Sequence, residues 1–266
     1  MSGDARRALV LDCDGVLADT ELDGHLVAFN RTFDELGFGF QWTAEEYGPL
    51  LRIGGGKERL KAYLAQHPEI DLGSGDELDA RIAAAHQRKS AIYVELVEAG
   101  ALPGRPGVAR LIGEALDAGW QVAVASTSAE RSVDAVLTSV IGPERRAQIA
   151  GVFAGDIVPA KKPAPDIYLL AIEKLGRTAD EVVVVEDSQS GAAAAAAAGL
   201  AHIVTVSHFT GEDDFPAATT VVSSLGEAGV PAELLAGYDA RDGYPLVELE
   251  GIERLLQTAR AGAAAR

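Results

Sequence analysis

Ala8-Leu9-Val10-Leu11-Asp12-Cys13-Asp14-Gly15 is the stretch that decides the fold. Four apolar residues run without interruption into two acids and a glycine. A short continuous apolar run suits a strand buried on both faces, as in a parallel sheet covered by helices. Residues two apart on a strand point to the same side, so Asp12 and Asp14 share a side and Cys13 takes the other as a buried, inert thiol. Gly15 permits a sharp turn directly afterwards. The pattern recurs where Gln121-Val122-Ala123-Val124-Ala125 meets Ser126-Thr127-Ser128, and where Val182-Val183-Val184-Val185 meets Glu186-Asp187-Ser188. Weaker strand candidates lie at 202–206 and 219–222.

Helical patterns separate these runs. Val108, Leu111, Ile112 and Leu116 recur at helical spacing before Gly119, and Ile167, Leu170, Ala171 and Leu175 before Gly176. Seven consecutive alanines follow Gly191, which reads as a helix set close against a sheet. Strands alternating with helices predict an α/β, Rossmann-like, doubly wound parallel sheet. Residues 20–101 break the alternation. Leu22, Leu26, Phe29, Phe33 and Leu36 form one apolar helix face ending at Gly37. Leu60, Tyr63 and Leu64 mark a second helix, and Leu78, Ile82, Ala85, Ile92 and Leu96 a third. The expected organisation is a catalytic core of residues 1–19 and 102–266 with an inserted helical cap, 20–101, that selects substrate. The signal weakens beyond Ser223. Residues 249–256 read as a last helix, 261–266 are expected to fray, and this tail receives no functional role.

The 266 residues include 23 Lys+Arg and 40 Asp+Glu, a net charge of −17, with 48% hydrophobic and 24% charged residues. This is a globular composition. So acidic a chain repels phosphate backbones and anionic lipid, which argues against nucleic-acid or membrane partners. A single cysteine excludes an internal disulfide framework and multi-cysteine zinc sites. No apolar stretch approaches the roughly 18 residues of a membrane span, and the first residues run straight into a strand with no leader-like segment. A cytoplasmic monomer is expected.

In a parallel sheet the carboxyl ends of the strands share one edge, the place where open α/β sheets put their sites. Asp12, Asp14 and Asp187 are therefore expected to converge there. Like charges brought together need a cation or a shared proton, and carboxylates with a backbone carbonyl are hard oxygen ligands suited to Mg²⁺. Ser126 adds a hydroxyl, and Lys161-Lys162 before Pro163 add positive charge. A carboxylate nucleophile, a metal, a hydroxyl and an ammonium are what phosphoryl transfer requires.

Asp12-x-Asp14-Gly15-Val16, Ser126, Lys162-Pro163-x-Pro165-Asp166 and Glu186-Asp187-Ser188 together resemble the four-motif series of the haloacid dehalogenase superfamily. The resemblance implies that Asp12 attacks phosphorus to form an aspartyl-phosphate and that Asp14 is the general acid and then base. It also implies that Ser126 and Lys162 bind the transferring phosphoryl group. Asp12, Asp187 and the backbone carbonyl of Asp14 would hold Mg²⁺, with Glu186 a further ligand or a supporting group. Lys162 is preferred over Lys161 because the family's lysine directly precedes the proline. An acid at position 14 argues against the dehalogenase branch.

Within the inserted block, Glu21-Leu22-Asp23-Gly24-His25 follows the first hinge, and Gly54-Gly55-Gly56-Lys57-Glu58-Arg59 places a glycine run before a helix. The second feature is not a Walker loop, because Leu51 and Glu58 stand where glycine and Ser/Thr are needed. Its backbone N–H groups with Lys57 and Arg59 could grip a second phosphate. Both features, with Phe29-Asn30, Glu46-Tyr47, Pro103-Gly104-Arg105-Pro106-Gly107 and Phe153-Ala154-Gly155-Asp156, resemble the CbbY-type sugar-bisphosphate phosphatases, including their plant and algal form. That resemblance implies hydrolysis of the 1-phosphate of xylulose-1,5-bisphosphate. Glu21, His25 and Tyr47 would touch the sugar, Gly55, Gly56, Lys57 and Arg59 the distal phosphate, and Thr127 the substrate beside Ser126. A phosphomutase of the β-phosphoglucomutase kind shares the four core motifs and is the alternative. A non-catalytic binding module is disfavoured because Asp12, Asp14 and Asp187 are all present.

Overall fold

The computed structural model describes residues 7–53 and 55–264, with side-chain surroundings to residue 259. Expectations that fall on residues 1–6, on Gly54 or on 265–266 lie outside that range. The chain resolves into two compact units, Met1–Asp19 with Pro103–Arg266, and Thr20–Leu102.

The first unit is built on a seven-stranded sheet. Its strands are β1 (Ala8–Leu11), β2 (Gln121–Ser126), β3 (Gly151–Ala154), β4 (Val182–Glu186), β5 (Ala201–Thr205), β6 (Thr220–Val222) and β7 (Leu234–Gly237), in the order β3-β2-β1-β4-β5-β6-β7. All pairs are parallel except β6–β7. Leu11 stands opposite Val124 on one neighbour and Val185 on the other. The residues just past each pairing therefore emerge at one edge, between strands whose connections run to opposite sides.

The sheet's helices are α5 (Val108–Asp117), α6 (Glu130–Arg146), α7 (Asp166–Leu175), α8 (Gln189–Ala197) and α9 (Leu249–Ala264). Alternation along each strand supplies both faces. Ala8, Val10, Val182 and Val184 join Ile167, Tyr168, Ala171, Ala194 and Ala195 in one cluster under α7 and α8. Leu9, Leu11, Val183 and Val185 are completely buried too, and α5 and α9 pack against β2, β4 and β5. The alanine run is α8, whose bare surface lets its backbone sit close to the strands. Ser188 caps it by accepting from Gly191 N–H.

Three parts of this unit are not evident from periodicity. The first is β3, a four-residue edge strand that begins at Gly151. The second is α6, whose pattern is broken by a non-helical Gly142. The third is the tail, which belongs to the core. Ile252, Leu255 and Leu256 of α9 are buried, and α9 continues to Ala264. Arg110 of α5 fastens the tail by donating to the carbonyls of Leu225 (2.9 Å), Gly226 (3.0 Å) and Val247 (2.9 Å). At the sheet's end, β7 pairs across a register shift at Val221/Val222 and finishes on Gly237 at φ 81°.

The second unit contains a π-helical segment, Thr20–Leu26, running into α1 (Val27–Glu35), then α2 (Ala44–Leu50), α3 (Gly56–Gln66) and α4 (Gly75–Glu98). Leu26, Phe29 and Phe33 bury one face against an aromatic core with Trp42, Tyr47 and Tyr63. The Trp42 ring lies tilted 4.8 Å from Phe29 and edge-on 4.9 Å from Phe33, centroid to centroid. Leu36 does not continue this face. It is 43% exposed, because α1 stops at Glu35 and the chain reverses through Gly37 at φ 66°. The helix α2 has a sequence signal that Gly48 and Pro49 obscure. Thr43 and Glu46 form a reciprocal capping box, the T-x-x-E pattern of a helix start.

Arg110→Met is expected to lower stability by about 2 kcal/mol, since buried carbonyls lose their donors. Urea denaturation measures this directly. A loss below about 0.5 kcal/mol would mean that the tail is held by α9 packing alone.

Candidate active site

Asp12 extends β1 by one rung, its N–H donating to the Val185 carbonyl at 2.9 Å. At the same edge, β4 ends in Glu186-Asp187. The carboxylates of Asp12, Glu186 and Asp187 are all buried, with one oxygen of each within 4.8 Å of the others. Gly15, at φ 74°, makes room for this convergence. A Cβ there would collide with the Asp187 carboxylate. Gly191 does the same for Glu186, so the glycine opening the alanine run is a packing requirement of the site.

Lys162 enters between the acids. Its ammonium donates to Asp12 Oδ1 at 2.6 Å, Glu186 Oε1 at 2.6 Å and the Ala125 carbonyl at 3.0 Å, and lies 4.9 Å from the centre of the Tyr168 ring. Lys161 instead pairs with Asp156 on the surface. Both oxygens of Glu186 are engaged. The Tyr168 hydroxyl also donates to Oε1, while Asp187 N–H (3.2 Å) and Ser188 Oγ (3.3 Å) donate to Oε2.

Burial dominates the titration here. It pushes Asp12 up to about 7, against the pull of Lys162 and with help from Glu186 and Asp14. Burial likewise raises Asp187, reinforced by Glu186 and Asp12 and opposed by a hydrogen bond from Ser207 and the charge of Arg105. Burial works against the Lys162 ammonium, yet Asp12 and Glu186 overcome it and hold the lysine charged. Three buried carboxylates against one ammonium leave an excess of negative charge on hard oxygen donors. That donor set fits a divalent cation.

The remaining expected core residues are placed as follows. Asp14 accepts from the Ser128 hydroxyl, and Ser128 N–H in turn donates to Ser126 Oγ at 3.1 Å. Ser126 is buried and Thr127 exposed. Cys13 is buried and forms no disulfide. Reading the sequence did not single out Ser128, Tyr168, Ser207 or the role of Arg105. Only Ser128 offered a signal, as the second hydroxyl of Ser126-Thr127-Ser128.

In the helical unit, Tyr47 donates to Glu21 Oε2 at 2.7 Å and accepts from Arg59 at 3.0 Å, with Arg59 3.7 Å from the same carboxylate. His25 Nδ1 lies 2.8 Å from the Lys89 ammonium, and its ring centre lies 4.0 Å from that of Tyr93, tilted against it. Burial, then Lys89 and Arg59, depress the His25 pKa, so the ring is neutral and accepts the lysine proton. Lys89 is buried, which its surface-like helix position among His86, Gln87 and Arg88 conceals. Gly55 (φ 94°) and Lys57 are exposed at the start of α3, and Gly56 packs against His86 and Phe29.

A parallel α/β sheet with a lysine-bridged carboxylate cluster at its switch point defines a hydrolase of the phosphoryl-transfer kind. Residues 6–199 match the model of the haloacid dehalogenase-like hydrolases, and the chain belongs to that family. It is a phosphatase of the CbbY-like type. It is 48% identical over 222 residues to a CBBY-like protein of Arabidopsis thaliana, covering 83% of this chain and 69% of that one. It is 41% identical to the plasmid-encoded protein CbbY of Cupriavidus necator, over 85% and 88% of the two chains. A crystal structure of mutant CbbY from Rhodobacter sphaeroides in complex with xylulose-1,5-bisphosphate superposes with a TM-score of 0.68 at 38% identity, covering 84% and 96%.

The raised Asp12 has a consequence for stability. Its folded pKa of about 7 exceeds the ordinary 3.8, so the folded state holds a proton that the unfolded chain has released. This contribution is present at low pH and is lost as pH rises through about 7. Metal-free protein is therefore expected to melt lower at about pH 8 than at about pH 5.5. Added Mg²⁺ should raise the Tm more at the higher pH. A metal-free Tm that climbs across this interval would contradict the assignment.

Proposed function

We propose that the protein is a Mg²⁺-dependent sugar-phosphate phosphatase working through an aspartyl-phosphate, with xylulose-1,5-bisphosphate as its substrate. The observation that carries this reading is Lys162 held between Asp12 and Glu186, with Asp187 alongside. The substrate is suggested by the likeness to CbbY, one structure of which holds that bisphosphate.

In this reading an Asp12 carboxylate oxygen attacks phosphorus and the P–O bond to the sugar breaks. Asp14 delivers its proton to the departing oxygen, then takes one from the water that cleaves the acyl-phosphate, which frees Asp12 and phosphate. Ser128 fixes the carboxyl of Asp14 for both transfers. Lys162, Ser126 and the Thr127 segment receive phosphoryl oxygens. Asp12, Asp187 and the Asp14 backbone carbonyl would hold Mg²⁺, which supplies charge neutralisation at the phosphoryl group. Glu186 acts by orienting Lys162, because both its oxygens are engaged, and this is the choice we make between ligand and support. Glu21, His25 and Tyr47 contribute to sugar recognition, and Gly55, Gly56, Lys57 and Arg59 to the distal phosphate. No helix among the described residues is long and apolar enough to cross a membrane. We assign the protein to the cytoplasm as a monomer.

The deciding experiment is a phosphate-release screen over sugar mono- and bisphosphates with and without EDTA. Xylulose-1,5-bisphosphate should release one phosphate, and EDTA should stop the reaction until Mg²⁺ is restored. Rearranged sugar phosphate without free phosphate would identify a mutase instead. Asp12→Asn should reduce turnover at least about 10³-fold with the fold intact, since an amide is a poor nucleophile. Near-normal release by that variant would remove the covalent mechanism.

Lys57→Ala is expected to raise KM about tenfold for bisphosphates and less than about twofold for monophosphates, as befits a contact to the remote phosphate. Equal effects on both would exclude Lys57 from that role.

A further inference from the structure

Arg105 lies outside the carboxylate cluster yet ties together the backbone that shapes it. Its guanidinium donates to the carbonyl of Gly15, to the carbonyl and hydroxyl of Thr205 (2.9 and 3.3 Å), and to the carbonyls of Val206 and Ser223 (3.3 Å). These oxygens come from three places, namely the turn after β1, the end of β5 and the segment after β6. The Arg105 N–H also donates to the Leu17 carbonyl at 2.9 Å. Burial lowers the pKa of this guanidinium, while the charges of Asp187 and Asp19 support its ionised form.

Two of the fastened segments bear on Asp187. Gly15 is the residue whose missing side chain leaves space for the Asp187 carboxylate. The segment leaving β5 carries Ser207, whose hydroxyl is near enough to Asp187 to favour its charged form. Ser207 is locked by Thr210, which contacts both its N–H and its hydroxyl at 2.9 Å. A planar fork with five donors can hold several carbonyls in fixed directions, and a lysine cannot reproduce that geometry.

We propose that Arg105 is a positioning residue for divalent-cation binding. One guanidinium fixes both the Gly15 turn, which leaves room for the Asp187 carboxylate, and the loop that carries Ser207. This inference rests on the metal-dependent reading above.

The test measures Mn²⁺ binding to full-length protein by calorimetry and electron paramagnetic resonance, without substrate, beside thermal melts and Mg²⁺-dependent kinetics. For Arg105→Gln, the Kd for Mn²⁺ is expected to rise at least about tenfold. The Mg²⁺ concentration for half-maximal turnover should rise in parallel, kcat should recover substantially at high Mg²⁺, and substrate KM at saturating metal should move less than about twofold. Arg105→Lys should fall between. Ser207→Ala removes the hydroxyl that faces Asp187 and Thr210 while leaving the Ser207 N–H bond to Thr210, and it is expected to weaken Mn²⁺ several-fold with a melt close to wild type. A folded Arg105→Gln that binds Mn²⁺ within twofold of wild type overturns the proposal. If that variant does not fold, a folded Ser207→Ala with unchanged affinity overturns it. Wild-type protein that neither binds nor needs a divalent cation overturns the functional reading itself, a result distinct from either of these.

Discussion

Carboxylates packed into a dry crevice repel one another by far more than a fold of this size can absorb unless positive charge stands among them. The Lys162 ammonium, within 2.6 Å of both Asp12 and Glu186, is that charge. Much of the neighbouring structure makes sense as support for it. Tyr168 offers its ring to the ammonium and its hydroxyl to Glu186, and Gly191 leaves space for the Glu186 carboxylate. The alanine run of α8 follows that glycine directly, so the choice of small residues along α8 serves the packing of the sheet and the placing of an acid together.

The helical unit solves a similar problem with different chemistry. Its buried ammonium, Lys89, rests near the faces of Phe29 and Tyr93 and donates to a neutral His25. Glu21, Tyr47 and Arg59 form a second polar group, in which the tyrosine hydroxyl links acid and base. Polar groups sunk in an aromatic core are held rigidly, because each lost hydrogen bond would leave a desolvated partner. Preset side chains of this kind suit recognition of a polyhydroxylated ligand, where discrimination comes from unpaired groups left by the wrong partner.

How much could be read from the residues alone depended on whether the signal was local. Continuous apolar runs ending in acids announce β1 and β4, because a strand buried on both faces has no polar residues to alternate. The carboxylate cluster follows from the parallel sheet that those runs require. Lys162 is legible only through its motif, since nothing in its neighbourhood separates it from Lys161. Arg105 and Lys89 show the limit. Each is a charged residue in a chain with many, and its importance comes from carbonyls or rings far away in sequence. The tail was opaque for the same reason. The carbonyls of Leu225, Gly226 and Val247 matter because Arg110, over a hundred residues earlier, reaches them. Leu36 misled because the helical spacing outlasted the helix.

The two ends of the sheet share a property with consequences beyond catalysis. β3 is four residues long and begins at a glycine, while β7 runs antiparallel, slips register at Val221/Val222 and ends in a left-handed glycine. An outermost strand that is brief, kinked or twisted makes a poor template for another chain to add itself to. With seventeen excess negative charges also keeping copies apart, a sheet with two open margins is protected against growing from molecule to molecule into a fibre.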